Sequence, residues 1–455
     1  MTKTTLRVGS GSGWWGDRVE PAALSARLGR LDYLCFETMA EATVSAAQVR
    51  RRRDPAFAGY DTYLDQRMRA VLPHCLANGT RIISNQGWIH PLGAACRIAQ
   101  ICEELGLPMP RIAAITTTDL TPTICDQDLA LLESGAPVAS LRGTLISAEP
   151  YEGALPIVKA LEQGAQIVVT GRVADPSLFL APMIHAFGWD YARDVDLLAR
   201  GSAIGHLLEC GAQATGGYFG DPGYKDVPEP WNLAFPIAEV DADGNAVIGK
   251  VAGTGGRIDL QTIKEQMFYE VHDPARYITP DVVVDFTTAA LEQVAPDRVR
   301  ISGVRGAPRT GTLKVSLGCT EGFIGEDMFF YAGPGCLAKA ELARVILEQR
   351  FALAKLQAEE LRIDSSGSMP SMAPRRRCRH ASRTRLPCAS LRAPARAKRP
   401  PRSAARSTAW RCAGWRRPAS ACRTRTAPAR SSACGRHWCR ARRSSPAFTF
   451  SEGQP

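Results

Sequence analysis

Glu37 and Glu41, the two carboxylates of FETMAE, stand four residues apart. If a helix begins there, they share one face, and their mutual repulsion lifts one pKa into a range useful for general acid/base work. A first-turn acidic cap is the plainer role for the same pair. Arg172, in TGRVADPS, offers a guanidinium to a carboxylate or phosphate, or an internal partner to Asp175 three residues on. His90, in WIHPLG, titrates near neutrality and suits proton transfer or a simple loop hydrogen bond. Asp119 completes the candidate acid/base set, and Asn85, with Gln86 and Trp88 close behind it, supplies neutral polar contacts.

A second set of residues surrounds GSGSGWWGDR, residues 9–18. Gly11, Gly13 and Gly16 have the G-x-G-x-x-G spacing that cradles a dinucleotide pyrophosphate, and Glu37 falls where a ribose-binding acid would stand. Two details oppose this reading. The next helix begins near Pro21 rather than inside the glycine motif, and Trp14 and Trp15 fill the two variable positions. The alternative is a glycine turn that sets Trp14, Trp15 and Asp17 over a sheet edge. Further on, GTGGRIDLQTIKEQ places Gly253, Gly255 and Gly256 ahead of a helix, where their amides could meet an anion. His206 and Cys210, four apart on an apolar helix, read as core. Neither a G-x-S-x-G elbow nor an H-E-x-x-H pair is present, and no metal site is expected.

These residues need a frame, and the apolar pattern supplies one. LRVG (6–9), DYLCF (32–36), RIISN (81–85), RIAAITT (111–117) and QIVVTG (166–171) read as buried strands. Helical segments separate them: one opens at Pro21, one stops at Asn78-Gly79, and one carries Ala95, Ile98, Ile101 and Leu105 on a stripe. Alternation of this kind predicts an α/β fold, a Rossmann-like, mostly parallel sheet with helices on both faces. Trp14, Trp15, Asp17, Glu37, Asn85, Asp119, Arg172 and Asp175 then all follow strand ends, where ligands of such sheets bind. The expected division is an α/β domain over 1–212 and a smaller α+β unit over 213–364. The second holds a hairpin at Asp243-Gly244, strands in DVVVDF, RVRISGV and TGTLKVSLG, and the long helix AGPGCLAKAELARVILEQRFA. The cleft between the two is the expected ligand site.

The net charge of +11 comes from one end of the chain. Residues 1–364 carry 34 Lys and Arg against 44 Asp and Glu, whereas residues 365–451 carry 22 Lys and Arg and no acid. That Arg-rich stretch lacks periodicity and reads as out-of-frame translation of a GC-rich gene, with PAFTFSEGQP of ordinary composition after it. Nucleic acid is therefore not an expected partner. The eight cysteines of residues 1–364 form no C-x-x-C pair and read as reduced thiols. With no secretory h-region and no long apolar run, no membrane association is expected and a cytoplasmic location is the default.

The segments GSGSGWWGDR, ISNQGWIHPLGAA, QATGGYFGDPGYKDVP, GTGGRIDLQTIKEQMFYEVHDPARYITPDVVVDF and GAPRTGTLKVSLGCTEGFIGEDMFFYAGPGC together resemble the acyclic terpene utilisation (AtuA-like) family over about residues 4–364. The resemblance implies a part in the breakdown of citronellol- or geraniol-type terpenoids, whose intermediates are branched acyl-CoA thioesters. Taken with the acid/base residues at the strand ends, it leads to the expectation of an enzyme acting on a small-molecule acyl substrate, with a CoA thioester as substrate moiety, by chemistry of the lyase, hydratase or hydrolase kind; no cofactor follows from the resemblance. It speaks against NAD. A non-catalytic acyl-CoA-binding or pathway-accessory role and a nucleotide-dependent oxidoreductase remain as alternatives, and a homo-oligomer is compatible with all three.

Overall fold

The computed structural model describes residues 4–366 and four short strands beyond them, Ser390–Arg392, Ala395–Arg396, Gly435–Arg440 and Ala447–Ser451. The expectation of an out-of-frame tail falls almost wholly outside the described residues.

The first five strands are β1 (Thr5–Gly13), β2 (Tyr33–Glu37), β3 (Arg81–Ser84), β4 (Ile112–Thr116) and β5 (Leu145–Pro150), followed by β6 (Ile167–Thr170). Strands β1, β2, β3, β6 and β4 lie side by side in that order, all parallel, and they are the five apolar runs of the sequence. The fold class is α/β. All the parallel strands lie on one side of β1, whose other neighbour is antiparallel, whereas in dinucleotide-binding sheets parallel strands flank β1 on both sides.

Helices cover both faces because successive strand residues point to opposite sides. Leu34, Phe36, Ile82, Ala114 and Val169 pack against residues of α1 (Glu20–Leu28), α3 (Leu64–Asn78) and α4 (Pro91–Glu104). Tyr33, Cys35, Ile83, Ala113 and Val168 pack against α5 (Leu155–Glu162), α6 (Asp175–Phe187) and α7 (Val195–Glu209). In α4 the stripe is Ala94, Ala95, Ile98, Ile101 and Cys102; Leu105 falls at the C-cap and is exposed. Helix α2 (Glu41–Arg53) follows β2.

The chain after 213 first returns to the main sheet. Strands β7 (Ile237–Asp241) and β8 (Ala246–Gly249) form the expected hairpin, and β7 pairs antiparallel with β1. Helix α8 (Leu260–Phe268) and strands β9 (Tyr277–Ile278), β10 (Val282–Asp285), β11 (Ala290–Ala295), β12 (Arg298–Ser302), β13 (Arg305–Pro308) and β14 (Thr312–Cys319) follow. Strands β12 and β11 extend the main sheet beyond β8, β14 pairs with β5, and β9, β10 and β13 form a small sheet of their own. The boundary expected near 213 is thus not a break in the sheet: residues up to Cys319 form one compact unit. Two late strands belong to it, Gly435–Arg440 beside β14 and Ala447–Ser451 beside β4. A second unit starts at Thr320 and contains α9 (Cys336–Leu353), the long helix read from the sequence.

Candidate functional site

The glycine motif belongs to strand β1 rather than to a phosphate loop. Gly11 and Gly13 lie inside β1, where a Cβ on Gly11 would fall 2.6 Å from the Phe36 ring and one on Gly13 2.2 Å from the Cys210 carbonyl carbon. Their small size serves packing. The amides that would meet a pyrophosphate are already bound: Gly13 and Trp14 donate to Asp17 Oδ2 at 2.6 and 3.2 Å. The loop carbonyls are held too. Arg67, wholly buried, donates to the carbonyls of Trp15, Trp14 and Asp17 at 2.7, 3.3 and 3.2 Å and to Asp61 at 2.5 Å. Helix α1 starts only at Glu20. The dinucleotide reading fails here because an internal carboxylate occupies the anion's place.

The anion reading of Gly255 and Gly256 fails for the same reason. Their amides donate to the carbonyls of Asn232 and Pro228 at 2.9 and 2.7 Å. The first free amides of α8 go to the Asp259 side chain in a capping box.

Charge gathers instead at the ends of β2 and β6. Arg172 follows β6 and is 1% exposed. Its Nη2 donates to Asp175 at 2.6 Å, its guanidinium lies 4.1 Å from the Tyr151 ring centroid, and its Nε and Nη1 have no hydrogen-bond partner among the described residues. Glu37 ends β2, and its Oε1 accepts from the Met39 amide at 2.5 Å and from Asn85 Nδ2 at 3.1 Å. Asn85 Oδ1 in turn accepts from the Thr38 amide and hydroxyl, and Trp88 Nε1 donates to that hydroxyl. Glu41, half-buried at the start of α2, accepts from the Tyr151 hydroxyl at 2.5 Å and from Lys314 Nζ at 3.4 Å.

Glu37 and Glu41 do not share a helix face, because the helix begins at Glu41 and Glu37 is still strand. Their surroundings separate them strongly. Burial, reinforced by Asp175, holds Glu37 well above the usual carboxylate range against the pull of Arg172. Burial also works on Glu41, but Arg172, Lys314 and Tyr151 outweigh it and bring its pKa to about 2. Burial raises Asp175 to about 6, opposed by Arg172 and aided by Glu41. Burial, with Asp119 nearby, raises Glu149 to about 7. Asp119 itself is exposed and accepts from the Thr121 amide at 2.9 Å, closing its own loop. The cluster therefore holds two basic side chains, Arg172 and Lys314, one carboxylate kept ionised at Glu41, and carboxyls whose pKa values are raised toward neutrality, a set suited to general acid/base work.

Other expected residues lie apart from it. His90 is the N-cap residue of α4; it is exposed, and its Nδ1 donates to the Ala58 carbonyl at 2.9 Å. Trp14 and Trp15 stand exposed in edge-to-face contact, 5.3 Å between centroids, with Tyr63 6.0 Å beyond Trp15. Tyr151, Glu149, Lys314 and Glu209 were not singled out from the sequence. Lys314 lies on β14 and Tyr151 directly follows β5, and the antiparallel pairing of these strands carries no local signal joining residues so far apart. Among the described residues no group of three or more His, Cys, Asp or Glu is placed to hold a metal ion, and no helix is long and apolar enough to cross a membrane.

No curated protein and no solved structure matches the chain. The family model of acyclic terpene utilisation family protein AtuA matches residues 6–432, which takes in the whole sheet edge just described and runs past residue 364, where the resemblance is expected to end. The chain belongs to the acyclic terpene utilisation family AtuA.

Proposed function

We propose that this protein is an enzyme of acyclic terpenoid breakdown that acts on a branched acyl or acyl-CoA intermediate by acid/base chemistry at the Arg172 cluster. The observation that carries this reading is Arg172 itself: a fully buried guanidinium with Nε and Nη1 unpartnered. A buried donor without a partner costs about 1–3 kcal/mol, more when charged. A carboxylate or thioester carbonyl oxygen placed there removes that cost and is polarised in return. Asp175 and Glu149, with pKa values of about 6 and about 7, then add or remove a proton beside the polarised carbonyl. Glu41 stays ionised and holds Tyr151 and Lys314 around the cation. Trp14 and Trp15 offer an apolar surface for a hydrocarbon chain.

The test is turnover of a panel of branched acyl-CoA thioesters and their free acids, followed by mass spectrometry, in the full chain and in Arg172→Lys and Asp175→Asn. The expected result is product formation with one class, lost in both variants. Binding without turnover by the parent chain, measured by calorimetry, would overturn the enzymatic reading in favour of an accessory protein that holds acyl-CoA.

A further inference from the structure

The mechanism above leaves unused a buried pair on α7. His206 Nδ1 lies 2.7 Å from Glu209 Oε1, and the two residues are 1% and 6% exposed. Among the described residues Glu209 Oε2 has no partner, and His206 Nε2 makes no hydrogen bond of good geometry, although the backbone of Gln266 and Met267 lies beside the ring. Ser202, one turn before His206 on the same face, has an unpartnered hydroxyl. Gln266 of α8 donates to the His206 carbonyl at 2.7 Å and leaves its own Oε1 unpartnered. Three such buried polar groups along one face of α7, with a fourth beside them on α8, exceed what a packed core tolerates without an occupant or a use.

The position explains the use. Helix α7 ends against the end of β1, where the Gly13 backbone meets Cys210, so Glu209 stands at the same sheet edge as Glu37 and Arg172. We infer that His206 and Glu209 form a proton-holding dyad of the Arg172 site, with Glu209 Oε2 as the atom that gives or takes the proton and His206 as the positioning residue. This inference rests on the reading of the Arg172 cluster as the reacting site. In the transfer the Glu209 O–H bond breaks, the acceptor on the bound molecule gains one proton, and the remaining carboxylate is held by His206 Nδ1–H. Burial lowers His206 to about 4, so the imidazole stays neutral throughout. Burial also raises Glu209 well above its ordinary value, with Asp175 and Glu270 adding to the rise and Arg172 and Lys314 opposing it. Cys210 and Tyr277, the other titratable neighbours, are held protonated, burial being the first cause for both.

Substrate-free titration of the full chain tests this. Infrared difference spectra between the parent and Glu209→Gln should show a protonated-carboxyl stretch at neutral pH that the variant lacks. Nitrogen-15 histidine spectra should show His206 neutral down to about pH 5. Lys314→Met should move the Glu209 titration upward by roughly half a unit to one unit, because it removes a cation that favours the charged form. An ionised Glu209 beside a doubly protonated His206 at neutral pH would overturn the inference, as would a titration that Lys314→Met leaves unmoved, since either makes the pair a purely structural one. If Glu209→Gln fails to fold, the histidine spectra of the parent and of Lys314→Met carry the same decision. None of these readouts depends on turnover, so failure of the acyl substrate panel and failure of the dyad are separate results.

Discussion

Two buried arginines at the same end of the sheet are partnered very differently. Arg67 is surrounded by acceptors: Asp61 and three carbonyls of the β1–α1 loop take its Nη groups, leaving only Nε without a partner. Arg172 is as deeply buried but has one hydrogen-bonded carboxylate, an aromatic ring and two idle donor groups. Saturated donors mark a structural clamp, because the charge has nothing left to offer a ligand. Idle donors in a buried cation mark a place where affinity has been kept for something else. Burial alone does not distinguish the two; the partner inventory does.

The sharpest way to break the comparison is to remove each cation. Arg67→Met should cost about 3–5 kcal/mol in urea unfolding, because it leaves Asp61 and three loop carbonyls without their donor. Arg172→Met should cost less than half of that, and less still near pH 5, where Asp175 is protonated. Equal costs for the two variants would mean that Arg172 is a clamp as well. In activity the order reverses: Arg172→Lys should lose roughly 10²–10³ in turnover of the acyl substrate, since a point ammonium cannot reproduce the planar donor set.

Gly13→Ala probes the contact that brings α7 to this edge. Its new Cβ meets backbone, which cannot rotate away, so unfolding should show a loss of about 2 kcal/mol. Glu149→Gln tests the electrostatics with a definite sign. Its folded pKa of about 7 lies above the ordinary carboxylate value, so the folded state binds the extra proton in between. Ionised Glu149 therefore lowers stability, the penalty growing as pH rises through that window and complete above it. Thermal unfolding should show Glu149→Gln roughly neutral at about pH 4 and stabilising by about 1–2 kcal/mol at about pH 8. The smallest effect belongs to Trp15→Ala, which should change stability by less than about 1 kcal/mol because the ring is partly exposed, while weakening binding of long-chain acyl ligands in calorimetry.

Much of the frame could be read locally. The five parallel strands, the hairpin at Asp243-Gly244 and the long helix after Gly335 follow from apolar period and turn residues, which act over a few positions. That Glu37, Asn85, Arg172 and Asp175 would meet followed from one topological rule, that each stands just past a parallel strand. Glycine spacing is a weak guide to an anion site because it records where an amide is and not whether an internal acceptor has already claimed it: Asp17 takes the amides of Gly13 and Trp14, and Asn232 and Pro228 take those of Gly255 and Gly256. His90 likewise had a suitable side chain and an unsuitable location.

The sequence by itself determined the α/β class, the five strands that run together and most of the charged residues at their exits, because helix and strand periods are written in neighbouring residues. Only the tertiary structure decided that the pairing of β5 and β14 brings Tyr151 and Lys314 together at Glu41, with Arg172 and Lys314 both against the Tyr151 ring, that the pKa values of Glu37 and Glu41 shift in opposite directions, and that His206 and Glu209 are buried as a hydrogen-bonded pair. The physical reason is that burial and Coulomb interaction depend on distance through space, and the chain separations here, from Glu41 to Lys314 for example, leave no trace in local pattern.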